Sequence, residues 1–220
     1  DQRGLHGVLM LLECIKWFVR ESVLQDIAEG PLLSYLHEPY EYSKWFSKIM
    51  GMVRTFIDVG AYVGGYTIHA CKAGVKYIYA VEPSTDNYNV LRRNLELNGC
   101  YAKLFKVAAG DFRGKAEIRL QHGYGPDTLT LTFTGDVKDV VDVVPLDDII
   151  SDVERPIMVK IDVEGFEEHV LRGMNNLLKS TNYVMIETTE ETHRNVVKHL
   201  INHGFRLIDL RLHKDKSELR

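Results

Sequence analysis

The stretch Phe56-Ile57-Asp58-Val59-Gly60-Ala61-Tyr62-Val63-Gly64-Gly65-Tyr66-Thr67 decides the fold. It begins in a short apolar run, turns at its glycines and opens a helical pattern at Gly65. A buried strand that feeds a glycine turn and then a helix is the first unit of an open α/β sheet. The glycines let the backbone turn tightly and approach a ligand, and the helix start leaves free N–H groups there. Many nucleotide-binding folds share such a turn, so the stretch alone names no ligand.

Outward from it, strands are predicted over residues 53–59, 77–81, 103–108, 157–161, 183–186 and 205–210. Helices are predicted over 65–72, over 87–97 with Tyr88, Leu91 and Leu95 on one face, and from about Gly165. The last carries Phe166, Val170, Met174 and Leu177 along one stripe. Thr188 and Glu191 have the spacing of a capping box for a further helix ending near Gly204. This alternation predicts a mostly parallel sheet flanked by helices. Residues 115–120, 128–133 and 140–144 lack helical periodicity and predict an inserted antiparallel element.

Upstream, Leu5, Val8, Leu9, Leu12, Ile15, Val19 and Val23 recur at helical spacing, which predicts a helix over 4–28, broken at Gly30-Pro31. The chain thus divides into an N-terminal helical segment (1–50), a main domain (51–212) and a charged tail (213–220).

The 220 residues suffice for one large domain. A net charge of −4 argues against broad attraction to nucleic acid. Cys14, Cys71 and Cys100 form no CxxC pair, so nothing suggests a zinc site. Their odd number and wide spacing suit a reducing compartment, and a cytoplasmic location is expected. The apolar run 8–19 is interrupted by Glu13 and Lys16 and is shorter than the roughly 20 residues a membrane span needs. The sequence opens on Asp1, so a preceding anchor or targeting segment stays an open question. His199 and His203 are four apart without an HExxH run, and no metal is expected.

Several acids fall at predicted strand ends. Glu82, before Pro83, lies about 20 residues past the turn, where a carboxylate accepts from ribose hydroxyls. Asp111, after Ala108-Ala109-Gly110, can accept from an adenine amino group or simply close a turn. Asp58 separates ligand types. A carboxylate beside the turn repels a pyrophosphate but attracts the ammonium and sulfonium of S-adenosylmethionine.

Asp58-Val59-Gly60-Ala61, Glu82-Pro83 with Asn87, Leu91 and Asn94, and Ala108-Ala109-Gly110-Asp111 together resemble the FkbM family of methyltransferases. So do Leu146-Asp147-Asp148 and Val159-Lys160-Ile161-Asp162-Val163-Glu164-Gly165-Phe166-Glu167. The resemblance covers roughly residues 53–210. It implies a Rossmann-like class I methyltransferase fold, S-adenosylmethionine as cofactor, and O-methylation of a sugar or small-metabolite hydroxyl. Residues matching the donor pattern are Asp58, Gly60, Ala61, Gly64, Thr67, Glu82, Pro83, Asn87, Ala109, Asp111 and Asp162. Tyr62 departs from the family's usual asparagine, and its ring suits stacking on the donor or narrowing the acceptor mouth.

Methyl transfer to an alcohol mainly requires alignment, and a base helps the proton leave. Asp162 and Glu164 are the candidate bases, with Lys160 holding their charge or orienting the acceptor. Competing readings are a helix cap for Asp162, a first-turn acid for Glu164 and a structural ion pair for Lys160. Glu167 and Glu168 are expected at the surface. His37, Tyr40, Glu41 and Trp45 suggest a lid over the acceptor or plain packing, and His122-Gly123-Tyr124-Gly125 a turn bordering it. The rivals are an NAD-dependent oxidoreductase, an RNA methyltransferase and a non-catalytic binding module. A small-molecule acceptor is expected as partner, with no nucleic acid.

Overall fold

A computed structural model describes residues 7–12, 15–20, 43–121, 128–130, 136–188 and 190–206. The core is a five-stranded, all-parallel sheet of β3 (Thr55–Val59), β4 (Tyr77–Val81), β5 (Lys103–Phe105), β10 (Ile157–Ile161) and β11 (Tyr183–Ile186). Its order is β11-β10-β3-β4-β5. The chain runs outward from β3 through β4 to β5, then returns to the other side of β3 with β10. The order therefore reverses between β3 and β10, and the crevice beyond their carboxyl ends is where open α/β sheets take ligands.

Both faces of the central strands are buried, as parallel strands covered by helices require. Alternation sorts the side chains. Phe56, Ile78, Ala80 and Met158 face a layer containing α1 (Ser43–Met50), α2 (Gly65–Lys72) and α3 (Thr85–Leu97). Ile57, Val59, Tyr79, Val81, Val159 and Ile161 face α5 (Glu167–Arg172), α6 (Asn175–Ser180) and α7 (Glu190–Asn202). Burying each large apolar side chain contributes about 1.5–3 kcal/mol, so the two layers hold the sheet. Phe46 of α1 meets Phe56 and Tyr66 edge to face, with ring centroids 5.5 Å and 5.0 Å apart. The helical end of the 1–50 segment is thus part of the core.

The inserted element is a second sheet of order β6-β9-β7-β8. It comprises β6 (Ala108–Ala109), β7 (Gly114–Gln121), β8 (Thr128–Thr130) and β9 (Asp136–Val144). β7 runs antiparallel to β8 and β9, with an irregular register at Ile118/Arg119, while β6 lies parallel to β9. The strand expected over 103–108 is split for this reason: β5 stays with the main sheet, and β6 leaves to pair with β9.

Several expectations are corrected. Residues 7–12 and 15–20 form an antiparallel hairpin, β1 (Gly7–Leu12) and β2 (Ile15–Arg20), where a helix was expected. The apolar run there is dense enough to satisfy either period, and Ile15, Trp17, Phe18 and Val19 are strand formers. The helix expected from Gly165 is two short helices with a break at Gly173. A Cβ on Gly173 would lie 1.8 Å from the Gly110 carbonyl oxygen, so the backbones touch there. Asp147, in α4 (Leu146–Ile149), accepts from the N–H groups of Asn176 and Leu177, both at 2.8 Å, and so starts α6. Glu167, expected at the surface, is 1% exposed. Thr188 meets Nδ1 of His193 at 3.1 Å, rather than showing the capping-box geometry. The strand expected over 205–210 lies outside the described residues from 207 on, and 205–206 are not strand.

Cys71 and Cys100 give a further correction. They are joined in a disulfide, with Cα atoms 5.9 Å apart. Their wide spacing in sequence hid this, because α2 and α3 end side by side. The cysteine pattern therefore gives no support to a reducing compartment. Opening the link, by reductant or by C71S, is expected to lower unfolding free energy by about 2–4 kcal/mol. Denaturant melts with and without reductant measure this, and equal midpoints would refute it. Among the described residues no helix is long and apolar enough to cross a membrane.

Candidate active site

The crevice between β3 and β10 is closed by backbone. Gly60 (φ +74) donates its N–H to the Val81 carbonyl, Ala61 does the same, and Asp162 donates to Val59. Gly64 (φ +96) begins α2 and donates to the Ala61 carbonyl. Asn94, fully buried on α3, donates from Nδ2 to the Val63 carbonyl at 2.8 Å and ties the turn to that helix.

The acids surround this turn. Asp58 is fully buried; its Oδ2 accepts from Thr67 Oγ1 at 2.6 Å, while Oδ1 has no hydrogen-bond partner. Burial raises its pKa, opposed by the Lys160 ammonium 3.6 Å away. Glu82 has one oxygen on the Tyr62 N–H and the other on the Ser84 N–H, both at 2.9 Å. Burial pushes its pKa up to about 7, against these bonds and one from the Asn87 side chain. Ser84 also caps α3, accepting from the Asn87 N–H. Tyr62 has φ +51, an uncommon backbone for a bulky residue, and remains partly exposed beside Glu82. Pro83 is half-buried between Glu82 and the cap.

Lys160 is 5% exposed. Its Nζ donates to the Gly60 carbonyl at 2.9 Å and lies 3.3 Å from Asp162 Oδ2 and 5.2 Å from the Tyr66 ring centre. Asp162 thus answers Lys160 rather than capping a helix, and α5 has no side-chain cap. Glu164 has φ +53 and is exposed, although its carboxyl is partly desolvated. Burial raises its pKa to about 7, and Asp162, Glu187 and Glu167 add to the rise. Glu187 follows β11 and donates its N–H to Ile161. Glu167 accepts from the Gly165 N–H at 2.7 Å, and its other oxygen is buried without a partner.

Asp111 differs from expectation. Its two oxygens take His169 Nδ1 and Arg172 Nε, each at 2.7 Å, and these contacts hold its pKa down despite burial. Its carboxylate therefore serves first to fasten α5 to the loop after β6. Ala109 is buried beside it. Sequence reading missed His169 and Arg172, although their spacing of three puts both on one helix face. Phe166 stacks on His169, ring centres 4.3 Å apart. Asp148 pairs with Arg113 at 2.8 Å. His37, Tyr40, Glu41 and residues 122–125 lie outside the described residues, and so does the side chain of Trp45. Among the described residues no group of three or more His, Cys, Asp or Glu is placed to hold a metal ion.

A five-stranded parallel sheet with acids at successive strand ends around a glycine turn is the Rossmann-like fold that class I methyltransferases share. Residues 58–207 match the methyltransferase FkbM domain, and the chain belongs to that family. It is 28% identical over 137 residues to the hexuronic acid methyltransferase AglP of Haloferax volcanii, a match covering 59% of this chain and 54% of that protein. The match thus spans about half the relative's length. Among solved structures, it is similar to a Pyrococcus abyssi tRNA (uracil-54, C5)-methyltransferase in complex with S-adenosyl-L-homocysteine. That likeness has 14% identity and a TM-score of 0.47, over 90% of this chain and 38% of the other. A Methanobacterium thermoautotrophicum precorrin 8w decarboxylase gives 18% identity and a TM-score of 0.47, over 74% and 72%.

Proposed function

We propose that the chain binds S-adenosylmethionine beyond β3 and β4 and methylates a hydroxyl of a sugar or small metabolite. The observation that carries this reading is Asp58: a fully buried carboxylate beside a glycine turn, one oxygen bonded to Thr67 and the other without a hydrogen bond and facing the Lys160 ammonium at 3.6 Å. Such an oxygen keeps hydrogen-bonding capacity for an N–H-bearing or cationic ligand. Glu82, steadied by two backbone N–H groups, keeps lone pairs for a ribose diol. Gly60, Ala61, Gly64, Thr67, Asn87 and Asn94 shape and brace the pocket, and Tyr62 borders it. Asp111 and Ala109 reach adenine through the loop they hold rather than through a free carboxylate.

The donor, when bound, supplies a sulfonium-activated methyl group. The protein's part is to align the acceptor oxygen, exclude water and take its proton. Glu164 is the better base of the two candidates: it sits near neutrality, whereas Asp162 is engaged by Lys160. The acceptor O–H breaks to Glu164 as the oxygen takes the methyl group. E164Q is expected to lower kcat about 10²–10⁴-fold with little change in donor Kd. At saturating donor, wild-type kcat should rise with pH through about 7, and the E164Q profile of kcat should be flat. A full-rate E164Q enzyme would exclude this base.

The named relative acts on a hexuronic acid, which supports a sugar acceptor. The acids Asp162, Glu164 and Glu187 at the rim favour a neutral hydroxyl over a carboxylate on the reacting side. An RNA acceptor has less support from a chain of net charge −4. A cytoplasmic location fits only a cell interior that tolerates disulfides, as in hyperthermophiles. Calorimetry with S-adenosylmethionine, S-adenosylhomocysteine and NAD, followed by labelled-methyl transfer to sugars, uronates and RNA, tests the whole reading. Binding of NAD in place of either adenosyl ligand would overturn it.

A further inference from the structure

Asp58 and Lys160 are register partners on neighbouring strands. Two residues upstream, Phe56 and Met158 point into the α1–α3 layer, so alternation sends both charged side chains to that same face. The ammonium arrives under the glycine turn. It donates to the Gly60 carbonyl at 2.9 Å, with Asp162 at 3.3 Å and Asp58 at 3.6 Å. The three partners come from the turn, from the end of β10 and from the end of β3. These are the pieces that must be fixed relative to one another before a donor can fit.

We infer that Lys160 is a positioning residue for the methyl donor: its buried ammonium fastens the Gly60 turn to β10 and lets Asp58 and Asp162 stand close together as carboxylates. This rests on the donor reading given above. Lys160 acts through those groups and touches neither donor nor acceptor in this role. Without the cation, two carboxylates in a dry crevice share a proton, and the half-neutralised site loses its attraction for a sulfonium. The Gly60 carbonyl loses its donor at the same time. The same ammonium also favours ionised Glu82 and Glu164. Other groups around the cluster are Tyr66 and Thr67 of α2, with Glu187 past β11 and Glu167 of α5 acting on Glu164.

The test is K160M with S-adenosylhomocysteine, titrated by calorimetry at pH 7 and pH 9 and paired with a thermal melt. K160M should bind at least about thirty-fold more weakly than wild type at pH 7, as for loss of a buried, hydrogen-bonded charge. It should recover most of that loss at pH 9, where the carboxylates ionise unaided. A residue that merely fills space gives no alkaline rescue. Unchanged affinity at pH 7, or equal weakness at both pH values in a folded variant, overturns the inference. Should K160M not fold, K160Q takes its place; its amide still reaches for Gly60 but carries no charge, and the same rescue is expected. A wild type that binds no adenosyl ligand would overturn the donor reading itself, and this role with it.

Discussion

Gly60→Ala is expected to abolish measurable binding of S-adenosylhomocysteine and to remove several kcal/mol of stability. A Cβ at that position would stand 1.8 Å from the Asp162 carbonyl oxygen and 2.9 Å from its carbon, both backbone atoms. Neither can swing aside as a side-chain tip can, so β10 or the turn must move. A further ~1–2 kcal/mol comes from holding alanine at φ +74. Displacing the turn also disturbs the Val81 bonds to Gly60 and Ala61 and pulls the Gly60 carbonyl off Lys160. Gly74→Ala is the matching control. Its φ is +84, but nothing lies within 4 Å of the added carbon, so only the conformational cost of about 1–2 kcal/mol remains. Denaturant unfolding and ligand titration of the two variants measure the difference. Equal losses would mean that the crevice does not depend on this contact.

The second large effect concerns Glu82. Its carboxyl is raised to about 7 from an ordinary 4.5, chiefly by burial. A group raised in this way contributes stability that is complete below about 4.5 and is lost as pH rises through about 7. The ligand-free protein therefore gains from a protonated Glu82 in mild acid, whereas a ribose diol is best held by the ionised form. Donor affinity should climb close to tenfold per pH unit below 7 and level off above it, with a proton released on binding. Titrations in buffers of different ionisation enthalpy count that proton. E82A should lower affinity by about two to three orders of magnitude and erase the pH slope, since two charge-assisted bonds are lost. It also strands the Tyr62 and Ser84 N–H groups. A slope that survives in E82A would assign the proton elsewhere.

How far the sequence was legible varied with the physics of each part. Parallel strands buried on both faces read as nearly continuous apolar runs, and 77–81 and 157–161 match to the residue for that reason, while the edge strand 183–186 is legible from its apolar run alone. The glycine turn and the acids at the ends of β3, β4 and β10 were also visible, because their spacing follows from strand length. What depends on distant contacts was not. The 4–28 pattern fitted two periods, and pairing between its halves decided for a hairpin. The stop at Gly173 comes from a backbone more than sixty residues upstream in the chain, at Gly110. Asp111 looked available until α5 brought His169 and Arg172 against it. Lys160 was recognised as a charge needing a partner, but its role at the turn needed the register of β3 and β10.

That register has a consequence for how the chain reaches its fold. Slipping β10 by one residue against β3 would turn Lys160 toward the opposite layer, among Ile57, Val59, Tyr79 and Leu171. An ammonium there would have no carboxylate and no carbonyl to answer it, an expensive mistake in a dry interior. Two central strands that are apolar on both sides would otherwise slide past one another with little to choose between alignments. One lysine in an oily strand therefore doubles as a proofreading mark against misassembly.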